Sequence, residues 1–271
     1  MSENKVALAV GAHPDDVEFM MAGTLAALGD AGYEPHIFTV GNGNGGTATH
    51  TQEEIVRLRG REARNAAAVI GGTYHPGLVN DLEIYYEDEL LRRVSAVVRE
   101  VQPEIVLTHS PQDYMEDHQN TSRLIVTACF SRGMRNWVTV PQRAQTFQDV
   151  YLYHCQPYGN RDQLRNPIVP TLFVDVTDKI EVKEEMLRCH ATQKQWLDLS
   201  QGMDSYLITM RELCAEVGQW AGGGERSASS AGEMAPVKYA EGFRQHLHGG
   251  LSAEDADPLT DLLAGRVQKA Q

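Results

Sequence analysis

The sequence predicts an α/β protein: a Rossmann-like parallel sheet with helices on both faces, plus a smaller C-terminal extension. Short apolar runs alternate with segments of helical periodicity at least four times before Phe130, the repeat that builds parallel strands joined by helical crossovers. Two of those runs, Val6 to Val10 and Glu104 to Thr108, lead into turns crowded with histidine and aspartate. Strand ends in such sheets are where ligands bind. With 271 residues, 42% of them hydrophobic, the chain is long enough to bury a sizeable core.

Val6 to Val10 reads as the first strand. Val17 to Leu28, with apolar and small residues at helical spacing, reads as the helix after it. The turn between them contains Ala12-His13-Pro14-Asp15-Asp16. Pro14 suits it, since its fixed φ and missing N–H cost nothing where a helix begins. Acidic residues there are favoured by the helix dipole, which explains one aspartate as a cap but not His13 beside two of them. An imidazole and a carboxylate suit zinc or a similar divalent metal, provided a third ligand comes from a second strand end and one position stays open for water.

Glu34 to Val40 is the next strand. The loop behind it, Gly41-x-Gly43-x-x-Gly46, imitates a dinucleotide fingerprint, but it follows the second strand and no helical pattern begins until about Gln52. A substrate-side loop or a plain turn therefore ranks above nucleotide binding, and Asn44 within it is a candidate substrate contact. Thr51 to Ile70 is the longest helical pattern. Most of its charges are solvated or paired at helical spacing. Gly71 to His75 is a short strand, Asn80-Asp81 a loop, and Glu87 to Glu100 a helix.

After the buried strand Glu104 to Thr108 comes His109-Ser110-Pro111-Gln112-Asp113-Tyr114-Met115-Glu116-Asp117-His118, and from Gln119 to Phe130 the pattern is helical again. His118 thus opens a helix after a second strand, the same kind of position that His13 and Asp16 occupy. Asp149 to His154 and Thr171 to Val176 are further strands, and the Pro-, Asn- and Gly-containing segment from Gln156 to Pro170 is placed on the pocket rim. Lys179 to Leu197 and Asp204 to Val217 are helices. His190, on the first of them, is expected on the helix surface or in packing rather than as a ligand.

Three regions follow from this organisation: a core over 1–218, a flexible loop or linker over 219–236 made of small polar residues, and a segment over 237–271. The last would complete the active site or form an oligomer contact. Within it His246 and His248 would share one face if they lay on a strand, and Pro258 to Val267 looks like a packing helix.

Ala12 to Asp16 with Glu18, followed by Asp117-His118, resembles the paired signatures of the LmbE-like, or PIG-L-like, N-deacetylases. Arg59-Gly60-Arg61-Glu62-Ala63 and Tyr239-Ala240-Glu241-Gly242-Phe243 extend the resemblance over most of residues 5 to 250. It implies a metal-dependent enzyme that removes acyl groups from amino sugars and related glycoconjugates, with zinc or another divalent transition metal on His13, Asp16 and His118 and with Asp15 as general base. It also implies Asp81 as a substrate contact, with a turn or cap residue before the Glu87 to Glu100 helix as the alternative, Arg59 or Glu62 facing the pocket, and a possible homo-oligomer. Where many relatives carry a histidine that stabilises the oxyanion or acts as acid, this chain has Met115, which does neither; His248 or His246 is the expected substitute. The alternatives are a metal- or sugar-binding protein that has lost catalysis, and an amidase acting on a thiol conjugate or an antibiotic glycoside.

The net charge of -13 argues against nucleic acid and anionic membranes as partners, both of which need clustered Lys and Arg. No apolar run approaches membrane-spanning length and the N-terminus has no signal-like core, so a cytoplasmic protein is the expectation. The four cysteines are far apart and form no Cys-x-x-Cys pair, which points to reduced, mostly buried thiols.

Overall fold

The computed structural model describes residues 5–201, 206–222 and 237–270. β1 (Val6–Gly11) is buried at every position because its side chains serve two cores at once. Ala7 and Ala9 pack into one helical layer, and Val6, Leu8 and Val10 into the other, as the two-residue period of a strand requires. β2 (Glu34–Thr39), β3 (Thr73–His75), β4 (Ile105–Thr108) and β5 (Tyr151–Cys155) join it in parallel, in the order β3-β2-β1-β4-β5.

The C-terminal extension continues this sheet. β7 (Ala240–Gln245) lies between β5 and β6 (Leu172–Asp175) and is antiparallel to both, and β8 (Val267–Lys269) pairs antiparallel with the outer edge of β6. The expected helix from Pro258 to Val267 is helical only over Pro258–Leu262. Beyond it the open edge of β6 offers unpaired backbone groups, and Val267 takes them up as strand.

The helices form two layers. α1 (Asp16–Met20), α2 (Ala22–Asp30), α3 (Gln52–Val69), α6 (Ile180–Arg188) and α8 (Tyr206–Gly222) contribute to the core on one face. α4 (Asp88–Val101) and α5 (Glu116–Ser131) cover the other, with Leu90, Leu91, Val94, Val98 and Val101 marking the buried stripe of α4. α3 begins with a capping box, Thr51 receiving the Glu54 N–H while Glu54 receives that of Thr51.

The pattern from Lys179 to Leu197 divides between α6 and α7 (Ala191–Gln201). Tertiary partners cause the break. His190 is fully buried, its Nε2 3.0 Å from Glu18 Oε1, and Glu62 on α3 accepts both the N–H and the hydroxyl of Thr192 at the start of α7. His190 is therefore a packing residue and not a surface one. Residues 219–222 finish α8, and the rest of the expected 219–236 loop lies outside the described residues. Cys129, Cys155 and Cys214 are buried free thiols, and Cys189 is partly buried. Among the described residues no helix is long and apolar enough to cross a membrane.

Glu241 locks β7 to both α2 and α6. Its carboxylate accepts the N–H groups of Gly23 (2.9 Å) and Thr24 (2.7 Å) and pairs with the equally buried Lys183. Glu241→Ala leaves a buried, unpaired ammonium and should destabilise the fold by roughly 3–5 kcal/mol, read as a shift in the denaturant midpoint. A loss below about 1 kcal/mol, the scale of an exposed pair, would contradict this role.

β1 and β4 are neighbours, yet the chain leaves β1 toward β2 on one side and reaches β4 on the other. Their carboxyl ends flank the switch point of the sheet, where a crevice opens.

Candidate metal centre and active site

The turn after β1 is tight. Asp15 sits at φ 109°, a backbone region that costs a non-glycine residue of order 1–3 kcal/mol, and this places Asp15 and Asp16 on different sides of the turn. Gly11 leaves the necessary room, since a Cβ there would lie 2.9 Å from Asp16 Cβ.

The turn after β4 brings His118 to the same point. Asp16 lies between the two histidines: His13 Nδ1 is 3.5 Å from its Oδ2, and His118 Nε2 is 3.5 Å from its Oδ1. Tetrahedral ligands bound at about 2.0–2.2 Å stand about 3.3–3.6 Å apart, so this spacing fits a zinc-sized ion. The far nitrogens are held as well. His13 Nε2 is 2.9 Å from Asp117 Oδ2, and His118 Nδ1 is 3.0 Å from Asp113 Oδ1, the outer carboxylates that orient metal-binding imidazoles. Two imidazoles and one carboxylate suit zinc, iron or a similar divalent ion.

A second close group, His109, Asp113 and His118, is less suited. Asp113 Oδ1 is engaged by His118 Nδ1 and the Met115 N–H, and His109 Nε2 accepts the Ala12 N–H. His109 instead stacks on His118, with centroids 4.1 Å apart and planes 13° apart.

Charge follows from this packing. Burial opposes a charge on His13, but hydrogen bonds to Asp117 and Asp16 outweigh it and raise its pKa to about 10. Burial likewise opposes ionisation of Asp16, but His118 and His109 hold it well below the carboxylate range. The cluster is built for positive charge, and a metal cation would displace the His13 proton.

Asp15 stands apart from the ligand set. One oxygen lies 3.3 Å from Arg59 Nη2 and the other accepts the Tyr206 hydroxyl. Burial pushes its pKa up to about 6, Arg59 holding it down and Asp16 pushing it further up. Arg59 also donates to the carbonyls of Pro14 (2.5 Å) and Gly43 (3.2 Å), so one guanidinium fixes the Asp15 turn and the glycine loop together. Arg59→Met should cost roughly ten- to a hundredfold in the rate this site supports, the worth of a charge-assisted hydrogen bond, with bound metal unchanged. Unaltered kinetics would remove Arg59 from the positioning of Asp15.

These residues line a cavity of about 420 Å³. Asp81 is on its wall, with both oxygens receiving loop N–H groups, from Gly43 (2.7 Å) and Gly45 (3.0 Å). Asn44 is not on the wall; its Oδ1 accepts the Asp81 N–H and its side chain braces the loop. Gly45, Gly46 and Tyr158 do reach the cavity, so the glycine loop and the segment after β5 both contribute to its wall. Phe19, Tyr114, Tyr158 and Tyr206 form a run of rings with centroids 5.5–5.8 Å apart, the kind of face that packs on the C–H side of a sugar ring.

His246 and His248 do not enter this cavity. β7 runs antiparallel to β5 and ends at Gln245, so the following residues travel away from the sheet edge that carries the cavity. His246 pairs with His154 (3.0 Å), and His248 lies 3.4 Å from Asp255. Met115 lines the cavity without a donor, while Tyr114, Tyr158 and Gln193 carry the donor groups of the same wall.

Residues 8–129 match the PIG-L family, described as GlcNAc-PI de-N-acetylase. The diacetylchitobiose deacetylase of Thermococcus kodakarensis is 26% identical over 246 residues, 89% of this chain and 82% of that protein. The 4-oxalmesaconate hydratase of Pseudomonas putida is 31% identical over 122 residues, 42% of this chain and about half (47%) of that protein. In three dimensions the chain resembles the 4-carboxy-2-hydroxymuconate hydratase of Pseudomonas putida, with a TM-score of 0.72 at 23% identity over 90% of this chain and 96% of that one.

Proposed function

We propose, from the match of residues 8–129 to the PIG-L family, that this protein is a metal-dependent deacetylase that hydrolyses the amide of an N-acylated, above all N-acetylated, amino sugar or related glycoconjugate. The convergence of His13, Asp16 and His118 at one point, beside an aspartate that is not a ligand, carries the reading. The diacetylchitobiose deacetylase relative supports the substrate class.

A divalent ion held by His13, Asp16 and His118, zinc first, would supply Lewis acidity toward the amide carbonyl and acidify a water molecule. Asp15 takes the proton of the attacking water and returns it to the leaving nitrogen, and acetate and a free amine depart. Its raised pKa suits both halves of that task. Arg59 and Tyr206 keep the carboxylate aimed, Asp113 and Asp117 keep the imidazoles in the binding tautomer, and the ring-lined wall orients the sugar.

The hydratase relatives favour a second reading, addition of water to an unsaturated polycarboxylate. Charge weighs against it. Asp15, Asp16 and Asp81 line the cavity, and its arginine, Arg59, is already engaged by Asp15 and by two carbonyls. Incubating the zinc-loaded protein with N,N'-diacetylchitobiose, with N-acetylated glycopeptides and with an unsaturated tricarboxylate separates the two readings. Acetate released with equimolar free amine supports the deacetylase. Loss of the conjugated absorbance without acetate would replace it with the hydratase, and no turnover of any amide would leave a binding protein.

A further inference from the structure

A second pocket, of about 380 Å³, lies beside α5, β5 and β7 and shares no lining residue with the catalytic cavity. No acidic side chain lines it. In a chain with 37 acidic and 24 basic residues that is a local reversal of the overall charge. Arg123 from α5, Arg244 from β7, His154 from β5 and His246 just beyond β7 converge on it.

Neither arginine is neutralised. Arg123 stacks its guanidinium 4.5 Å from the Tyr86 ring centroid and, among the described residues, has no carboxylate partner. Arg244 donates to two neutral oxygens, Gln112 Oε1 (2.9 Å) and Ser110 Oγ (2.8 Å), while its buried Nε has no hydrogen-bond partner among the described residues. A cation whose side chain meets only neutral oxygens leaves its charge uncompensated, which an anion nearby would offset.

The histidines add a donor only when His246 is protonated. His154 Nδ1 lies 2.8 Å from the His109 carbonyl oxygen, which can only accept, so that nitrogen carries the proton. Its Nε2 must then accept from His246 Nδ1, 3.0 Å away. This leaves His246 Nε2 at the pocket, a donor whenever the ring is protonated.

We propose that this pocket binds a small oxyanion, a phosphate or carboxylate group, at a site separate from the catalytic cavity. Arg123 offers a planar guanidinium fork that no described carboxylate takes up, the donor geometry such groups accept; Arg244 adds a second un-neutralised positive charge, and the absence of carboxylates in the lining removes local repulsion. Arg244 also braces Ser110 and Gln112, next in sequence to His109 of the first cavity, so Arg123 is the cleaner residue to alter.

The test titrates inorganic phosphate and, separately, succinate into the zinc-loaded protein at constant ionic strength set with chloride, by calorimetry. Wild type, Arg123→Ala, Arg123→Lys and His118→Ala are compared. Saturable binding of at least one anion is expected, weakened about tenfold or more in Arg123→Ala, partly restored in Arg123→Lys and retained in His118→Ala. Tighter phosphate assigns a phosphoryl group and tighter succinate a carboxylate. Absence of saturable binding, binding indifferent to Arg123→Ala, or binding lost in His118→Ala, as an anion resting on the catalytic metal would be, overturns the proposal.

Discussion

Asp15→Asn should lower kcat for amide hydrolysis by roughly a hundred- to ten-thousandfold, the usual worth of a positioned general base, while leaving bound metal near the wild-type amount. The substitution is nearly isosteric and keeps an oxygen for one of Arg59 and Tyr206, which donate to different Asp15 oxygens. It removes a carboxylate that lies beside the proposed ligands without belonging to them. KM should change little, because the proton transfer belongs to the transition state rather than to substrate binding. Metal content by elemental analysis and steady-state kinetics on the same preparation check this. Equal loss of metal and rate would mean that Asp15 is a ligand, and an unchanged rate would assign the base elsewhere.

His118→Ala should abolish both. His118 Nε2 is the proposed ligand from the second strand end, and its loss leaves His13 and Asp16, which belong to one turn and supply two donors where a catalytic site needs three. Metal should fall from about one ion per chain to little, and hydrolysis to background. Asp113→Asn, which keeps the shape but weakens the grip on His118 Nδ1, should lower metal affinity by roughly ten- to a hundredfold, as removal of an outer carboxylate does. Dialysis against chelator followed by zinc titration measures both. Wild-type affinity in His118→Ala would place the metal away from this cluster.

What the sequence could reveal is set by distance along the chain. His13, Asp15 and Asp16 stand within four consecutive residues after a strand, and Asp117-His118 follow another, so strand-end logic sufficed to bring them together. The alternating apolar period also made the sheet and its two helical layers legible. Tyr206, 191 residues from Asp15, carried no signal, since a tyrosine at helical spacing looks like any core aromatic. His109 and Asp113 lay within the second motif, but nothing in spacing says which histidine binds and which stacks. His246 and His248 were misplaced for a geometric reason: the direction in which β7 enters the sheet is decided by its pairing with β5 and β6, and reversing it turns a residue near the site into one leaving it. His190, expected on the helix surface or in packing, packs, and only its partner Glu18, far away in sequence on α1, could not be read from the sequence.

Acetate release as a function of bound zinc tests the central claim most directly. Protein stripped with chelator is returned to graded zinc contents, and acetate, free amine and metal are quantified in each sample with an N-acetylated amino sugar as substrate. A rate that rises in proportion to zinc up to about one ion per chain, with acetate and amine equimolar, is the expected result. Acetate released at the same rate without metal, or full zinc occupancy without any amide cleavage across the N-acetylated substrates, would contradict it.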